Sequence, residues 1–405
     1  MTSIADNLNH LLPELPLQVR RVLGRVAQLH RGELNVHLPD GRMVWLSGRE
    51  PGPSATIKLA NYRFGWSLLF GGDTGMAESY IRGDWSTPDL AQLLYLFCLN
   101  EQLLQDALAG SRVLQLVRKF GHRRRRNTKA RARRNIYAHY DLGNEFFSAW
   151  LDPSMTYSSG MFAPGMTDLV EAQQHKYQQL ASAIQLQPGE RLLEIGCGWG
   201  GFAEFAARSC GAKVVALTIS KEQHDFARKR IQEAGLADSV DIRLQDYRDE
   251  RGQYDRIASI EMIEAVGEQF WPKYFAQLHD RLAPGGLAGI QAITIRDDLF
   301  DGYRQRVDFV QQHIFPGGML PSPAALRALG RRFDIPLISE RVFGEDYALT
   351  IASWRKTFHA EWPRIRSLGF DERFRRLWEY YLCYCEAGFR SANVDVRQLV
   401  FARPG

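Results

Sequence analysis

The sequence contains no apolar run approaching the ~18 consecutive residues that a membrane-spanning helix requires, so no integral span is expected. Its opening, MTSIADNLNHLLPELPLQ, lacks the charged-then-apolar order of a signal peptide, and a cytoplasmic protein is the expectation. Cysteine is scarce. Cys98, Cys197, Cys210, Cys383 and Cys385 are odd in number and scattered, which favours reduced thiols over a disulfide framework or a four-cysteine zinc site. No acidic residue interrupts positions 118–134, RKFGHRRRRNTKARARR, which hold ten Lys or Arg; because the whole chain carries only +5, the rest of it is net negative. A run of this kind serves as a solvated linker, a nucleic-acid arm or a patch for anionic lipid, and composition leaves the three open. Length and apolar content are ample: 405 residues at 45% hydrophobic suffice for two domains, or for one large domain with an appendage.

Residues 32–48, GELNVHLPDGRMVWLSG, alternate apolar and polar positions on either side of Pro39-Asp40-Gly41, which predicts a β-hairpin; SATIKLANYRFGWSLLFGG continues the same texture. A helical stretch, LAQLLYLFCLNEQLL, precedes the basic run. These features predict a small mixed α/β domain over 1–110 and a basic linker over 111–135. From 136 to 405 short apolar strands alternate with helical patterns. The strands are RLLEIG (191–196), KVVALTI (213–219), VDIRLQD (240–246), YDRIASI (254–260) and GLAGIQAITI (286–295). That alternation predicts an α/β, Rossmann-like parallel sheet with helices on both faces.

Ligands in such sheets bind beyond the carboxyl ends of the strands. After the first strand comes LLEIGCGWGGFAEFA (192–206), in which Gly196, Gly198, Gly200 and Gly201 let backbone approach a ligand just before a helix N-terminus. Thr218, Ser220 and Gln223 follow the second strand, and Gln245, Asp246 and Tyr247 the third. Glu261 and Glu264, one helical turn apart, follow the fourth, and Gln291 follows the fifth. The glycine turn is not followed by Lys and Ser or Thr, which argues against a phosphate-binding loop, and its G-x-G-x-G spacing differs from the dinucleotide fingerprint. A nucleotide-like ligand at the strand ends is the expectation.

Several segments, in order along the chain, resemble the cyclopropane-fatty-acyl-phospholipid synthases: YDLGNEFFSAWLDPSMTYSSGMF, EIGCGWGGFAEFAA, LTISKEQHDFA, LQDYRD, YDRIASIEMIEAVG, IFPGGMLPS and YYLCYCEAGFR. The resemblance runs from about residue 72 to the C-terminus, and the segments flanking the glycine motif narrow it from methyltransferases in general to the lipid-modifying ones. It implies S-adenosyl-L-methionine as cofactor. Leu192 to Gly200, including Glu194, would surround the methionine part, and Thr218 to Gln223 would approach the ribose in the absence of the usual acidic residue. Gln245, Asp246 and Tyr247 would flank the adenine, and Tyr157 and Ser158 would close over the sulfonium. The implied partner is a phospholipid membrane bearing unsaturated acyl chains, with the enzyme peripheral on its inner face, no nucleic acid bound, and a homodimer as an option.

The implied reaction adds a one-carbon unit to a cis double bond through a carbocation that loses a proton to bound bicarbonate, giving a cyclopropane ring. By the resemblance that anion is held by Glu264, by Tyr347 in GEDYALTIASW and by backbone near two cysteine positions, here Ser159 and Cys385. Gln291 stands where the family pattern has histidine, and Ala265 where a histidine follows the glutamate. Glutamine donates an N–H but cannot carry a positive charge or relay a proton. The alternative product is therefore a methyl-branched or methylene acyl chain. A nucleic-acid methyltransferase using the basic run as an arm, and a lipid-binding protein without catalysis, are the competing classes.

Overall fold

A computed structural model describes residues 14–101 and 142–405. The expected linker 111–135, and with it the basic run, lies outside the described residues. The chain forms two compact units, and they are not consecutive in sequence. Gln305–His313 and Gly369–Asn393 join the unit built by the N-terminal residues, whereas the sequence reading ran one domain through 136–405. Contacts between distant residues cause this. Within the first unit, the Arg376 guanidinium lies 4.1 Å from the Tyr80 ring centre and donates to the Tyr80 and Trp85 carbonyls at 2.7 and 3.1 Å, and Asn393 donates to Glu101 at 2.7 Å.

The first unit carries a four-stranded sheet ordered β2-β1-β3-β4, from β1 (Arg31–His37), β2 (Met43–Ser47), β3 (Glu50–Leu59) and β4 (Trp85–Ser86). The hairpin forms as the alternation predicts, β1 and β2 pairing antiparallel with Val36 opposite Val44, both buried. The strand texture does not continue past β3, because Arg63–Arg82 is helical. Phe64 and Leu68 share its buried side, and Trp66 and Phe70, also four apart, stack at 5.2 Å on its exposed side.

The second unit is built on a seven-stranded sheet ordered β10-β11-β9-β8-β5-β6-β7. Its strands are β5 (Arg191–Ile195), β6 (Lys213–Thr218), β7 (Val240–Leu244), β8 (Tyr254–Ile260), β9 (Leu282–Ile295), β10 (Leu337–Val342) and β11 (Val394–Ala402). The five expected strands pair in parallel; β10 and β11 extend the sheet antiparallel beyond β9. Alternate residues feed two cores. Leu192, Val214 and Val240 lie in one register row and pack against the helices Leu169–Ala183, Gly201–Cys210 and Lys221–Glu233. Leu193, Ile195 and Leu217 face the other way, toward Trp271, Tyr274, Phe275 and Leu278 of the helix Trp271–Arg281. A sheet covered on both faces needs apolar residues at successive positions, which is why these strands read as apolar runs. Each fully buried leucine contributes roughly 1.5–3 kcal/mol.

From β5 the chain moves outward to β6 and β7, then returns to β8 on the opposite side of β5. The crevice beyond the carboxyl ends of β5 and β8 is thus a topological switch point, the place where such sheets bind ligands. Among the described residues, no helix is long and apolar enough to cross a membrane.

Candidate active site

The β5 strand ends in a turn that only glycine makes without strain. Gly196, Gly198 and Gly200 have φ of 85°, 53° and 84°, and the amides of Gly196 and Cys197 both donate to the Leu217 carbonyl, at 3.0 and 2.9 Å. The three positions differ in what surrounds them. A Cβ on Gly196 would stand 2.8 Å from Met262 Cγ and one on Gly200 3.0 Å from Ala227 Cβ, whereas a Cβ on Gly198 would meet nothing within 4 Å among the described residues. Gly196 and Gly200 are thus set by packing as well as by φ. Gly198 opens onto free space.

The other residues expected to hold the cofactor line the adjoining strand ends. Glu194 is buried, and burial pushes its carboxyl up to about 8 against the pull of Lys176 and Arg230. Its Oε2 has no hydrogen-bonding partner among the described residues. Thr218 donates to Gln223 at 3.0 Å, so the two hold each other at the end of β6. Gln245 donates to Glu250 at 3.1 Å, and Asp246 is locked in a buried ion pair with Arg248, at 2.8 and 2.6 Å. The Tyr247 ring stands edge-on to Tyr274 at 5.7 Å, and its buried hydroxyl has no partner among the described residues.

Tyr157 is held by aromatic packing, with ring centres 5.5, 5.6 and 5.4 Å from Phe147, Trp150 and Trp354. Its neighbour Ser158 accepts a 2.6 Å hydrogen bond from Lys176 Nζ and, through its carbonyl, a 2.8 Å bond from Gln173. Sequence reasoning missed Lys176. The signal was there: Ala172, Lys176 and Leu180 follow one another at four-residue steps on the buried side of the helix Leu169–Ala183, and a lysine in that row has to be explained. Burial lowers its ammonium to about 7, with Glu261, Asp152 and Glu194 opposing the drop.

The structure brings Ser159, Gln291 and Tyr347 together, and it does so around Glu261. Glu261 Oε1 accepts from the Ser159 amide at 3.0 Å and from Gln291 Nε2 at 2.8 Å, while Oε2 accepts from the Tyr347 hydroxyl at 2.6 Å. Gln291 is oriented by Gln398, its partner across the β9–β11 pair, which donates to Gln291 Oε1 at 3.2 Å. Burial raises the Glu261 carboxyl, and Tyr347, Lys176, Gln291 and the Ser159 amide hold it down. Its backbone lies in the left-handed region at φ 49°, an uncommon conformation for a residue with a side chain.

Glu264, expected among these donors, is placed differently. Its Oε1 accepts from the Ile293 amide, and its buried Oε2 has no partner among the described residues. Burial, and then the charge of Glu261, push it up to about 8. Cys385 lies on the helix Glu372–Arg390 of the first unit, its thiol pushed up by burial and by Asp308. The expected bicarbonate does not fit this arrangement. Tyr347 and Gln291, which would donate to its oxygens, donate instead to Glu261, and a second anion beside that carboxylate would be repelled.

A mostly parallel sheet with a glycine turn and a polar cluster at its switch point defines an α/β enzyme that binds its ligand at the strand ends. Residues 127–399 match the family profile described as mycolic acid cyclopropane synthetase. The chain is 40% identical over 340 residues to the tuberculostearic acid methyltransferase of Mycobacterium tuberculosis, covering 82% of this chain and 79% of that one. It is 37% identical over 372 residues to the cyclopropane-fatty-acyl-phospholipid synthase of Escherichia coli, covering 89% and 90%. Among solved structures, the mycolic acid cyclopropane synthase complexed with SAH and CTAB superposes with a TM-score of 0.63 at 28% identity, over 67% of this chain and 98% of that one. The chain belongs to the mycolic acid cyclopropane synthetase family, and so to the S-adenosylmethionine-dependent methyltransferases.

Proposed function

We propose that this protein adds a one-carbon unit from S-adenosylmethionine to the cis double bond of an unsaturated phospholipid acyl chain, forming a cyclopropane ring. One observation carries the reading: Met262, next to Glu261, packs against Gly196, so the ligand-binding turn and the carboxylate cluster share one wall. The residues suit the cofactor. Gly198 faces open space, and Glu194 Oε2 and the Tyr247 hydroxyl are buried polar atoms that lack partners among the described residues. When bound, S-adenosylmethionine supplies an electrophilic methyl group on a positive sulfur. Tyr157, with Phe147, Trp150 and Trp354 behind it, provides the aromatic surface that a sulfonium favours and that excludes water from a carbocation. An alkene is a weak nucleophile, so orientation and desolvation are the main contributions this pocket makes.

A second reading, a methyl-branched or methylene acyl product, is favoured by Gln291, which cannot relay a proton, and by the similarity to a tuberculostearic acid methyltransferase. A saturated branch would further need a hydride donor. The basic run at 118–134 suits a peripheral position on an anionic membrane.

The test incubates the protein and S-adenosylmethionine with anionic or neutral vesicles of cis-unsaturated phospholipid, and analyses the acyl chains by mass spectrometry before and after ozonolysis. Ring-bearing chains, heavier by one carbon and resistant to ozone, are expected, formed faster on anionic vesicles at low salt. Ozone-cleavable products select the methylene reading. No incorporation on either vesicle overturns both.

A further inference from the structure

Resting on that reading, we propose that the Glu261 carboxylate is itself the base that removes the proton from the acyl carbocation, so that turnover requires no free anion. Glu261 occupies the place among the donors that a bound anion would need. It takes the Tyr347 hydroxyl, the Gln291 amide and the Ser159 amide at 2.6, 2.8 and 3.0 Å. A carboxylate offers about four acceptor directions. Two donors use Oε1 and one uses Oε2, which leaves a lone pair on Oε2 unclaimed by any donor among the described residues.

Two further features fit a working carboxylate rather than a structural tie. The first is the backbone. Glu261 is held at φ 49°, an uncommon conformation for a residue with a side chain and one that glycine adopts freely, with its amide donating to the Gln291 carbonyl at 2.8 Å. The second is the character of the donors. All three are neutral, so they stabilise the carboxylate without transferring a proton to it at rest, and Gln291, unlike a histidine, can neither protonate nor compete for the proton.

The step balances within the chain. Once the methyl group has joined one alkene carbon, the other carries the positive charge. Glu261 Oε2 takes a proton from the new methyl, and the electron pair of that C–H bond forms the third carbon–carbon bond of the ring. The product is a neutral cyclopropane and a neutral glutamic acid, which loses its proton to solvent before the next turnover.

The test compares wild type, Glu261→Gln and Glu261→Gly on cis-unsaturated phospholipid vesicles in CO2-free buffer and with bicarbonate titrated back, with S-adenosylmethionine binding measured by calorimetry for each. Wild type is expected to form product at the same rate within twofold at every bicarbonate level. Glu261→Gln should bind cofactor normally and lose turnover by a factor on the order of 10²–10⁴. Glu261→Gly relieves the backbone and frees the three donors; it should be slow in depleted buffer and regain at least tenfold when bicarbonate is added, a rescue that a merely structural Glu261 would not show. A wild-type enzyme that stops in depleted buffer and recovers with bicarbonate overturns the proposal, and so does near-normal turnover by Glu261→Gln. A wild type that transfers nothing in either buffer overturns the functional reading beneath it.

Discussion

The glycine turn and the carboxylate cluster sit at the ends of adjacent strands, β5 and β8, and are built in opposite ways. The turn is made of backbone from consecutive residues: the Gly196 and Cys197 amides donate to the Leu217 carbonyl, and the Gly200 amide closes the turn on the Cys197 carbonyl at 2.9 Å. The cluster is made mainly of side-chain atoms, and Ser159 and Tyr347 lie 102 and 86 residues from the Glu261 they hold. A site made of backbone fails when atoms are added to it. A site made of converging side chains fails when atoms are taken away, and how badly depends on whether the lost atom bonds to Glu261 or only stands near it.

The largest effect should come from adding atoms to the turn. Gly196→Val would force a β-branched residue to φ 85° and push it against Met262, at a cost on the order of 2–5 kcal/mol in unfolding free energy. A Cβ at Gly198 meets nothing within 4 Å among the described residues, so the fold of Gly198→Val should survive with the backbone cost, roughly 1–2 kcal/mol. The valine would instead fill the space open to the cofactor, where an overlap of ~1–3 kcal/mol is a roughly 5- to 150-fold loss of affinity. Urea unfolding and calorimetry with S-adenosylmethionine separate the two variants. Full cofactor affinity in Gly198→Val would show that the turn serves packing alone.

Removing an atom from the cluster should act more selectively. Tyr347→Phe deletes the donor to Glu261 Oε2; a hydrogen bond to a charged group contributes ~1.5–3 kcal/mol, so kcat should fall roughly 10- to 150-fold while cofactor affinity holds. Because Tyr347 holds the Glu261 pKa down, its loss should also move the acid limb of the pH–rate profile upward. Ser159→Ala should change kcat by less than about threefold, since Ser159 reaches Glu261 through its amide and its hydroxyl donates to the Gly160 carbonyl at 2.7 Å. Equal losses in the two variants would mean that the cluster responds to packing rather than to the donors named here.

The same contrast governs what could be read in advance. The strands β5 to β9, the hairpin and the glycine turn follow from patterns within a few residues, and the sequence displays them. Glu261 and Glu264 were both visible after β8, but which of them meets the donors depends on a left-handed residue at 261 and on the register that puts Gln398 opposite Gln291, neither of which a local pattern encodes. The resemblance pointed to Glu264, and the donors converge on its neighbour one turn earlier. β10 escaped because LISERV is an edge strand with no buried residue, and β11 because Asp395, Arg397 and Gln398 interrupt its apolar positions. Lys176 escaped because its helix is rich in glutamine, so one more polar residue does not mark which row is buried.

Of the two glutamates, Glu264 outside the cluster should give the smaller effect on turnover, and Glu264→Gln a clear one on stability. Glu264 sits at about 8 in the folded chain against an ordinary 4.5, so between those pH values the native state keeps a proton that the unfolded state has shed. Stability contributed by such a group is complete below pH 4.5 and is lost as pH rises through 8. Glu194, also at about 8, and Glu261, raised as well, share that sign. Lys176 has the opposite one: lowered to about 7 from 10.5, it is charged in both states below that range and returns stability only as pH rises from 7 to 10.5. Asp308, raised by burial to about 7, shares the glutamates' sign, so from pH 5 to 7 the raised carboxylates act together and the difference between wild type and variant isolates Glu264. Wild type should lose stability across that window. Glu264→Gln, which keeps an oxygen for the Ile293 amide and has nothing to ionise, should lose less, by an amount on the order of 1–2 kcal/mol at 1.36 kcal/mol per pH unit of differential protonation. Urea unfolding at pH 5, 6 and 7 measures both slopes. Parallel slopes would mean that Glu264 is ionised in the folded protein, and that the pair would then hold two negative charges one helical turn apart.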